Sequence, residues 1–161
     1  MKKSLLVLVL AAIITTGVAF ADHPGGFGIG VQGGYGGLGP GGALTLKFAH
    51  MPIFWAINFG IGPHFSMLEV AGDYYIIDDK LAPEIGLHWY LGIGAYVGIG
   101  LGANDFNLWG GVRVPIGLSW QPIPLLELYL QVVPGIGLSI LPGIGLWPNF
   151  WGGNLGIRLW F

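Results

Sequence analysis

The chain contains no cysteine. Disulfides, thiol nucleophiles and cysteine-ligated metals are therefore excluded, and so is the acylated cysteine of a lipoprotein anchor. Charge is almost as scarce. Charged residues make up 9% of the 161 residues, where about 25% is usual. So few charges cannot coat a water-facing surface. Lys and Arg number 6 against 8 Asp and Glu, a formal net charge of −2. There is no basic face to attract nucleic acid. The 4 His are scattered without ligand spacing, so neither a metal nor a cofactor is expected. What the chain has instead is apolar residues, at 53%, and 31 glycines.

The first residues read as a secretory signal. Lys2 and Lys3 form a positive end, Leu5 to Ile14 an apolar run, and Ala19-Phe20-Ala21 a small-x-small cleavage site. The alternative is a retained anchor, which the short run and the cleavage pattern disfavour. Residues 1–21 are expected to be removed, leaving one domain, 22–161, outside the cytoplasm.

Within that domain the apolar residues follow a period of two. From Glu84 to Gly102 the odd positions Trp89, Leu91, Ile93, Ala95, Val97, Ile99 and Leu101 are all apolar. The even positions are Gly, Tyr or His. This marks a strand with two unlike faces. A transmembrane helix is the rival, and Gly94-x-x-x-Gly98 even supplies a helix-pairing motif. Each interior glycine, however, costs a helix about 1 kcal/mol relative to Ala. The alternation also recurs at strand length in seven further places, starting at Phe27, Leu44, Ile53, Leu68, Leu108, Leu126 and Leu155.

That makes eight strands, one face aliphatic and aromatic, the other glycine with a few charges. A soluble sandwich would carry far more charge on its polar face. Apolar-out, polar-in strands in even number describe an all-β, eight-stranded antiparallel up-and-down transmembrane β-barrel. Phe27, Phe48, Trp55, Tyr74, Trp89, Trp120 and Phe161 all share the lipid-facing parity near periplasmic strand ends. They form an aromatic girdle of the kind found at membrane–water boundaries. The periplasmic links are expected at 49–52, 78–83 and 121–124, and short Gly/Pro-rich outer loops near 36–41, 62–65, 102–106 and 140–149.

The pattern resembles the small outer-membrane barrels of the OmpA/OmpX type. The stretch GVRVPIGLSWQPIPLLELYLQVVPGIGL, Gly111 to Leu138, is similar to a segment of small spirochaetal outer-membrane barrels whose role is unassigned. The closing Leu155, Ile157, Leu159 and Phe161 resemble the signal read by the outer-membrane assembly machinery. The resemblance thus implies outer-membrane localisation, with membrane lipid and that machinery as partners, and a monomer.

Lys47, Asn58, Glu69, Asp73, His88, Arg113, Glu127 and Arg158 share the inward face. Strand order places Glu127 between Arg113 and Arg158, and Asp73 beside His88. The expectation is a charged plug at the periplasmic end, with Glu127 bridging two arginines, because a lone buried charge is costly. A permanent plug is favoured over a gate. Towards the outer end, Gly34, Gly36, Gly60, Gly62, Gly98, Gly100, Gly135 and Gly137 line the inside. They either open a cleft for a small apolar ligand or make room for Tyr96, Trp109 and Tyr129 to pack across.

Two motifs carry little weight. Gly28-x-Gly30-x-x-Gly33 lacks the preceding strand and following helix of a dinucleotide site. His64-Phe65-Ser66 resembles the His-x-Ser pair of lipid A deacylase barrels, with Glu69 nearby, but a turn between strands is the simpler account. The expected role is a non-enzymatic outer-membrane protein with a structural or surface function and no open pore. The alternatives are a carrier or binder of small apolar molecules through the outer cleft, and a lipid-modifying enzyme.

Overall fold

A computed structural model of the protein describes residues 26–36, 39–61, 65–102, 106–147 and 152–161. The expected signal segment 1–21 lies outside them, as does His64. The described residues form eleven strands: β1 (Phe27–Gly36), β2 (Gly39–Phe48), β3 (Met51–Ile61), β4 (Phe65–Ala82), β5 (Leu87–Gly102), β6 (Phe106–Arg113), β7 (Ile116–Ile123), β8 (Leu126–Val132), β9 (Gly135–Leu141), β10 (Gly145–Trp147) and β11 (Gly152–Trp160). All pairings are antiparallel. The Glu84–Gly102 stretch that could pass for a membrane helix is mostly β5.

Eleven strands make eight staves. β6 and β7 are one stave interrupted at Val114-Pro115, and both pair with β5. β8 and β9 are one stave interrupted at Val133-Pro134, pairing with β7 and β6 respectively. The breaks follow from proline, which has no N–H to give a ladder. β10 is a short addition beside β9. β11 pairs with β8 on one side and with β1 on the other, from Gly28↔Trp160 to Gly36↔Gly152. The sheet therefore closes on itself, and the eight-stranded antiparallel barrel read from the alternation is the observed fold.

Strand four runs further than its polarity implies. The segment Asp78–Pro83, expected to be a polar link, is still β4 as far as Ala82. The turn is instead a single 3-10 turn, Pro83–Ile85, ended by Gly86 at φ 70°. The pairing with β5 shifts between Tyr75 and Ile77, and again between Lys80 and Ala82. A bulge adds one residue and swaps the faces of the residues beyond it. Before it Asp73 and Tyr75 point inward; after it Asp78 stands opposite the buried Tyr90.

The two faces differ as the pattern demands. Ile29, Val31, Leu44, Ile57, Val97, Val112, Leu130, Leu138 and Leu155 are all exposed on the outside. The girdle residues Phe27, Tyr74, Trp120 and Phe161 are exposed with them. Inside, Phe54, Tyr75, Tyr90 and Tyr129 pack as one cluster, and Ala71, Tyr96 and Trp109 as another. Wall glycines make room for these rings. A Cβ on Gly98, Gly117 or Gly156 would run into Trp109, Tyr90 or Tyr129 respectively. Of these, Gly98 is one of the inward glycines expected at the outer end, and it makes room there for Trp109.

Candidate functional site

Among the described residues, the interior charges form ion pairs that include Arg158–Glu127, Lys47–Asp78 and Arg113–Asp73. Arg158 Nη1 donates to Glu127 Oε2 at 2.7 Å, across the in-register β11–β8 pair Arg158↔Glu127. Lys47 Nζ donates to Asp78 Oδ2 at 2.7 Å. Arg113 donates to Asp73 from both Nε and Nη2, each at 2.7 Å. Arg113 therefore pairs with Asp73, and the expected bridge from Glu127 to both arginines is not formed. The proline break explains this. Glu127 lies in β8 beyond Val133-Pro134 from the β9 residues that flank Arg113, whose register partners are Gly94 and Gly135.

Asp73 also stands away from His88. Its partner on β5 is Gly94, while His88 is opposite Lys80 and Ser119. Gly94 is in register with Asp73 on one side and Arg113 on the other. A Cβ there would strike the Asp73 carboxylate. The glycine lets a fork-shaped guanidinium reach a carboxylate two staves away, in the bidentate geometry that makes such pairs strong.

The Arg158 guanidinium is set among rings. Its carbon lies 4.7 Å from the Tyr129 ring centroid, 5.0 Å from Phe54 and 6.0 Å from Trp160. Trp160 Nε1 donates to the same Glu127 oxygen at 2.7 Å. Lys47 Nζ sits 4.6 Å over Tyr75, which stacks on Tyr90 at 4.6 Å. Cation–π contacts of this kind gain strength when desolvated, to about 2 kcal/mol or more. Trp160, Phe54, Asp78 and Gln131 complete this interior and were not singled out in the sequence. Parity alone marks Trp160 and Phe54, which share a face with Arg158 and Ala56. No parity rule could mark Asp78, because the bulge re-aims it.

At the outer end lies a cleft of about 90 Å³ lined by Gln32, Asn58, Glu69, Arg113, Asn154 and Met67, among others. The expected inward glycines Gly34, Gly36 and Gly135 line it too. Its floor is a hydrogen-bonded relay. Tyr129 donates its hydroxyl to Gln32 Oε1 at 3.1 Å, and Gln32 Nε2 donates to Asn58 Oδ1 at 3.4 Å. Asn58 Nδ2 donates to Glu69 Oε1 at 3.3 Å, and Trp109 Nε1 to Glu69 Oε2 at 3.0 Å. A floor this polar does not suit the purely apolar ligand inferred from the glycines, because burying its polar groups against hydrocarbon is unfavourable.

Of the residues in the enzymatic reading, the structure describes Ser66 and Glu69, and these two lie on different faces. Ser66 is exposed, on the outward parity of Leu68 and Val70, while Glu69 is buried on the inward face. Opposite faces of one strand keep the carboxylate away from the hydroxyl. Among the described residues, no group of three or more His, Asp or Glu could hold a metal ion. The terminal Leu155, Ile157, Leu159 and Phe161 are exposed on the outer face. Phe161 also exchanges backbone bonds with Phe27 at 3.0 and 2.8 Å, and their rings lie 5.6 Å apart.

No family model matches the chain, and no curated protein matches it. Among solved structures it is similar to Neisserial surface protein A (NspA), with 16% identity, a TM-score of 0.52, and coverage of 84% of this chain and 97% of that one. It is also similar to the N-terminal β-barrel domain of Pseudomonas aeruginosa OprF, with 14% identity, a TM-score of 0.50, and coverage of 84% and 96%. At these identities the likeness is one of fold.

Proposed function

We propose that the protein is a small integral outer-membrane barrel with a structural or surface role, without an open pore and without enzymatic activity. One observation carries this reading: a closed barrel whose outside, among the described residues, is lined with exposed aliphatic and aromatic residues. Monomeric soluble proteins rarely expose apolar patches beyond a few hundred Å², and a closed barrel is the sheet that leaves no unpaired backbone in lipid. The filled interior supports the absence of a pore, as small eight-stranded barrels have room inside for side chains alone. The signal-like residues 1–21 and the two structural neighbours, one named a surface protein, agree with an outer-membrane location reached by secretion. The Gly111–Leu138 stretch supports a place beside the small spirochaetal barrels. Membrane lipid is the proposed partner of the outer face, and the assembly machinery that of the segment 155–161, with the protein acting as a monomer.

The test is a heat-modifiable gel shift together with circular dichroism in detergent, and then planar-bilayer recording. The expected outcome is a β-type spectrum, a compact form that migrates differently after boiling, and no steady conductance. A water-soluble protein or a helical spectrum overturns the membrane barrel; steady conductance overturns the closed interior.

The cleft favours a second reading, a binder of small molecules at the outer end. Its glycine walls and polar floor support a small polar ligand over an apolar one.

A further inference from the structure

We infer that the outer cleft is a site for a small organic cation, a primary alkylammonium, held by Glu69. The inference deepens the second reading above and rests on the cleft being open to solution.

The first argument is charge. Among the described residues, Asp73, Asp78 and Glu127 each have a cation at 2.7 Å. Glu69 is the fourth inward carboxylate, and its hydrogen bonds come from neutral donors, Asn58 and Trp109. It is 6% exposed, and it lines the cleft. The cleft's own cation, Arg113, is already held through two nitrogens by Asp73. The cleft floor therefore presents a carboxylate whose hydrogen bonds come from uncharged groups, a place where an added cation would gain a partner.

The second argument is the direction of the hydrogen bonds. The relay Tyr129 → Gln32 → Asn58 → Glu69 passes donors towards the carboxylate, and Trp109 adds another from the opposite side. Both Glu69 oxygens thus accept hydrogen bonds from N–H donors. Each carboxylate oxygen has lone pairs beyond the one used. An ammonium group supplies three N–H donors for such acceptors.

The third argument is shape. About 90 Å³ holds on the order of six waters or one small organic ion. A bare metal ion is a poor fit, since the cleft offers a single carboxylate. The lining also includes Met67, Val133 and several glycines. A short alkyl body would lie there, with its ammonium on Glu69. Apolar walls with a few placed polar groups are the usual build of a small-ligand site.

The experiment uses the full chain in an uncharged maltoside detergent and two probes, propylammonium and its neutral isostere propan-1-ol, with binding read by saturation-transfer NMR. Propylammonium is expected to saturate at a roughly millimolar dissociation constant and propan-1-ol to bind at least about tenfold more weakly. Glu69→Gln is expected to weaken propylammonium by about tenfold or more. Met67→Trp narrows the cleft without touching its charge and is expected to abolish the signal. Folding of each protein is read from its gel shift. Equal binding of the two probes by the native chain, undiminished binding in a folded Glu69→Gln variant, or no saturation at all overturns the inference. An intact native gel shift without probe binding leaves the barrel reading standing; loss of the native gel shift removes the barrel reading itself.

Discussion

Asp73 and Arg113 meet across strand β5 over Gly94, with no side chain between them. Gly94 is the register partner of both, and its own Cβ would occupy the space of the Asp73 carboxylate. The ion pair and the glycine are therefore one structural unit. Gly94→Ala is expected to displace the carboxylate and leave a buried guanidinium poorly compensated, destabilising by about 3 kcal/mol, the lower end for a broken buried pair. Urea titration of the folded barrel in lipid vesicles measures this. A change below about 0.5 kcal/mol, the range of an ordinary surface substitution, would show that the pair does not depend on Gly94.

The partition of the interior charges has its own test. Residues in contact couple, and distant ones add. In double-mutant cycles, Asp73→Asn with Arg113→Gln is expected to show a coupling of about 1–3 kcal/mol. Glu127→Gln with Arg113→Gln is expected to be additive within about 0.5 kcal/mol. The reverse outcome would restore the bridge from Glu127 to Arg113 that strand order alone implies.

Trp160 contributes an N–H to Glu127 at 2.7 Å from inside the barrel. Trp160→Phe keeps a ring near Arg158 and removes that donor. The expected loss is about 1.5–3 kcal/mol, the range for a hydrogen bond to a charged group, measured by the same urea titration. Trp147→Phe is the control for general loss of indole, since Trp147 lies in the short β10. An equal effect at both positions would remove the special role of Trp160.

What the sequence made legible was what depends on parity. Alternation placed the outer-face and interior residues on opposite faces, and it placed Lys47, Glu69, Asp73, Arg113, Glu127 and Arg158 inside, where all six are buried. The partners of these charges were not legible, because pairing depends on register and stave continuity. Val114-Pro115 and Val133-Pro134 interrupt two staves. The bulge after Tyr75 turns Asp78 inward to meet Lys47. A one-residue shift changes every face beyond it, so an extra residue in β4 hid an ion pair that the composition of that segment disguised as a loop. The cleft was half legible. The glycines marked its walls, but its polarity comes from Gln32, Asn58 and Asn154, which arrive from three different strands.

Phe161 separates assembly from stability. Its backbone is tied to Phe27 in both directions, while its side chain is 59% exposed. Phe161→Ala keeps the backbone bonds, unlike deletion of the residue. The variant refolded in detergent is expected to match the native barrel within about 1 kcal/mol, as exposed positions usually do. Its yield in the outer membrane of producing cells is expected to fall several-fold, read from the gel-shifted fraction in membranes. Equal yields would remove the proposed role of Phe161 in assembly.

The membrane reading makes a prediction that a soluble barrel does not share. Val97 lies in β5, is 53% exposed, and is in register with Val70 and Gly110. In water a valine this exposed accepts arginine at little cost, within about 0.5 kcal/mol. In a bilayer the same substitution forces a guanidinium into hydrocarbon, at about 2–4 kcal/mol near the midplane and close to nothing near the interfaces. Val97→Arg is therefore expected to destabilise the barrel strongly in vesicles. Leu81→Arg, at an exposed position one residue before the end of β4, is expected to be tolerated, because that end lies at or beyond the boundary. Urea midpoints of the two variants in the same vesicles give the comparison. Two small and equal effects would mean that the apolar belt faces something other than lipid. A large effect confined to Val97 fits a belt whose middle lies in hydrocarbon and whose edge meets water.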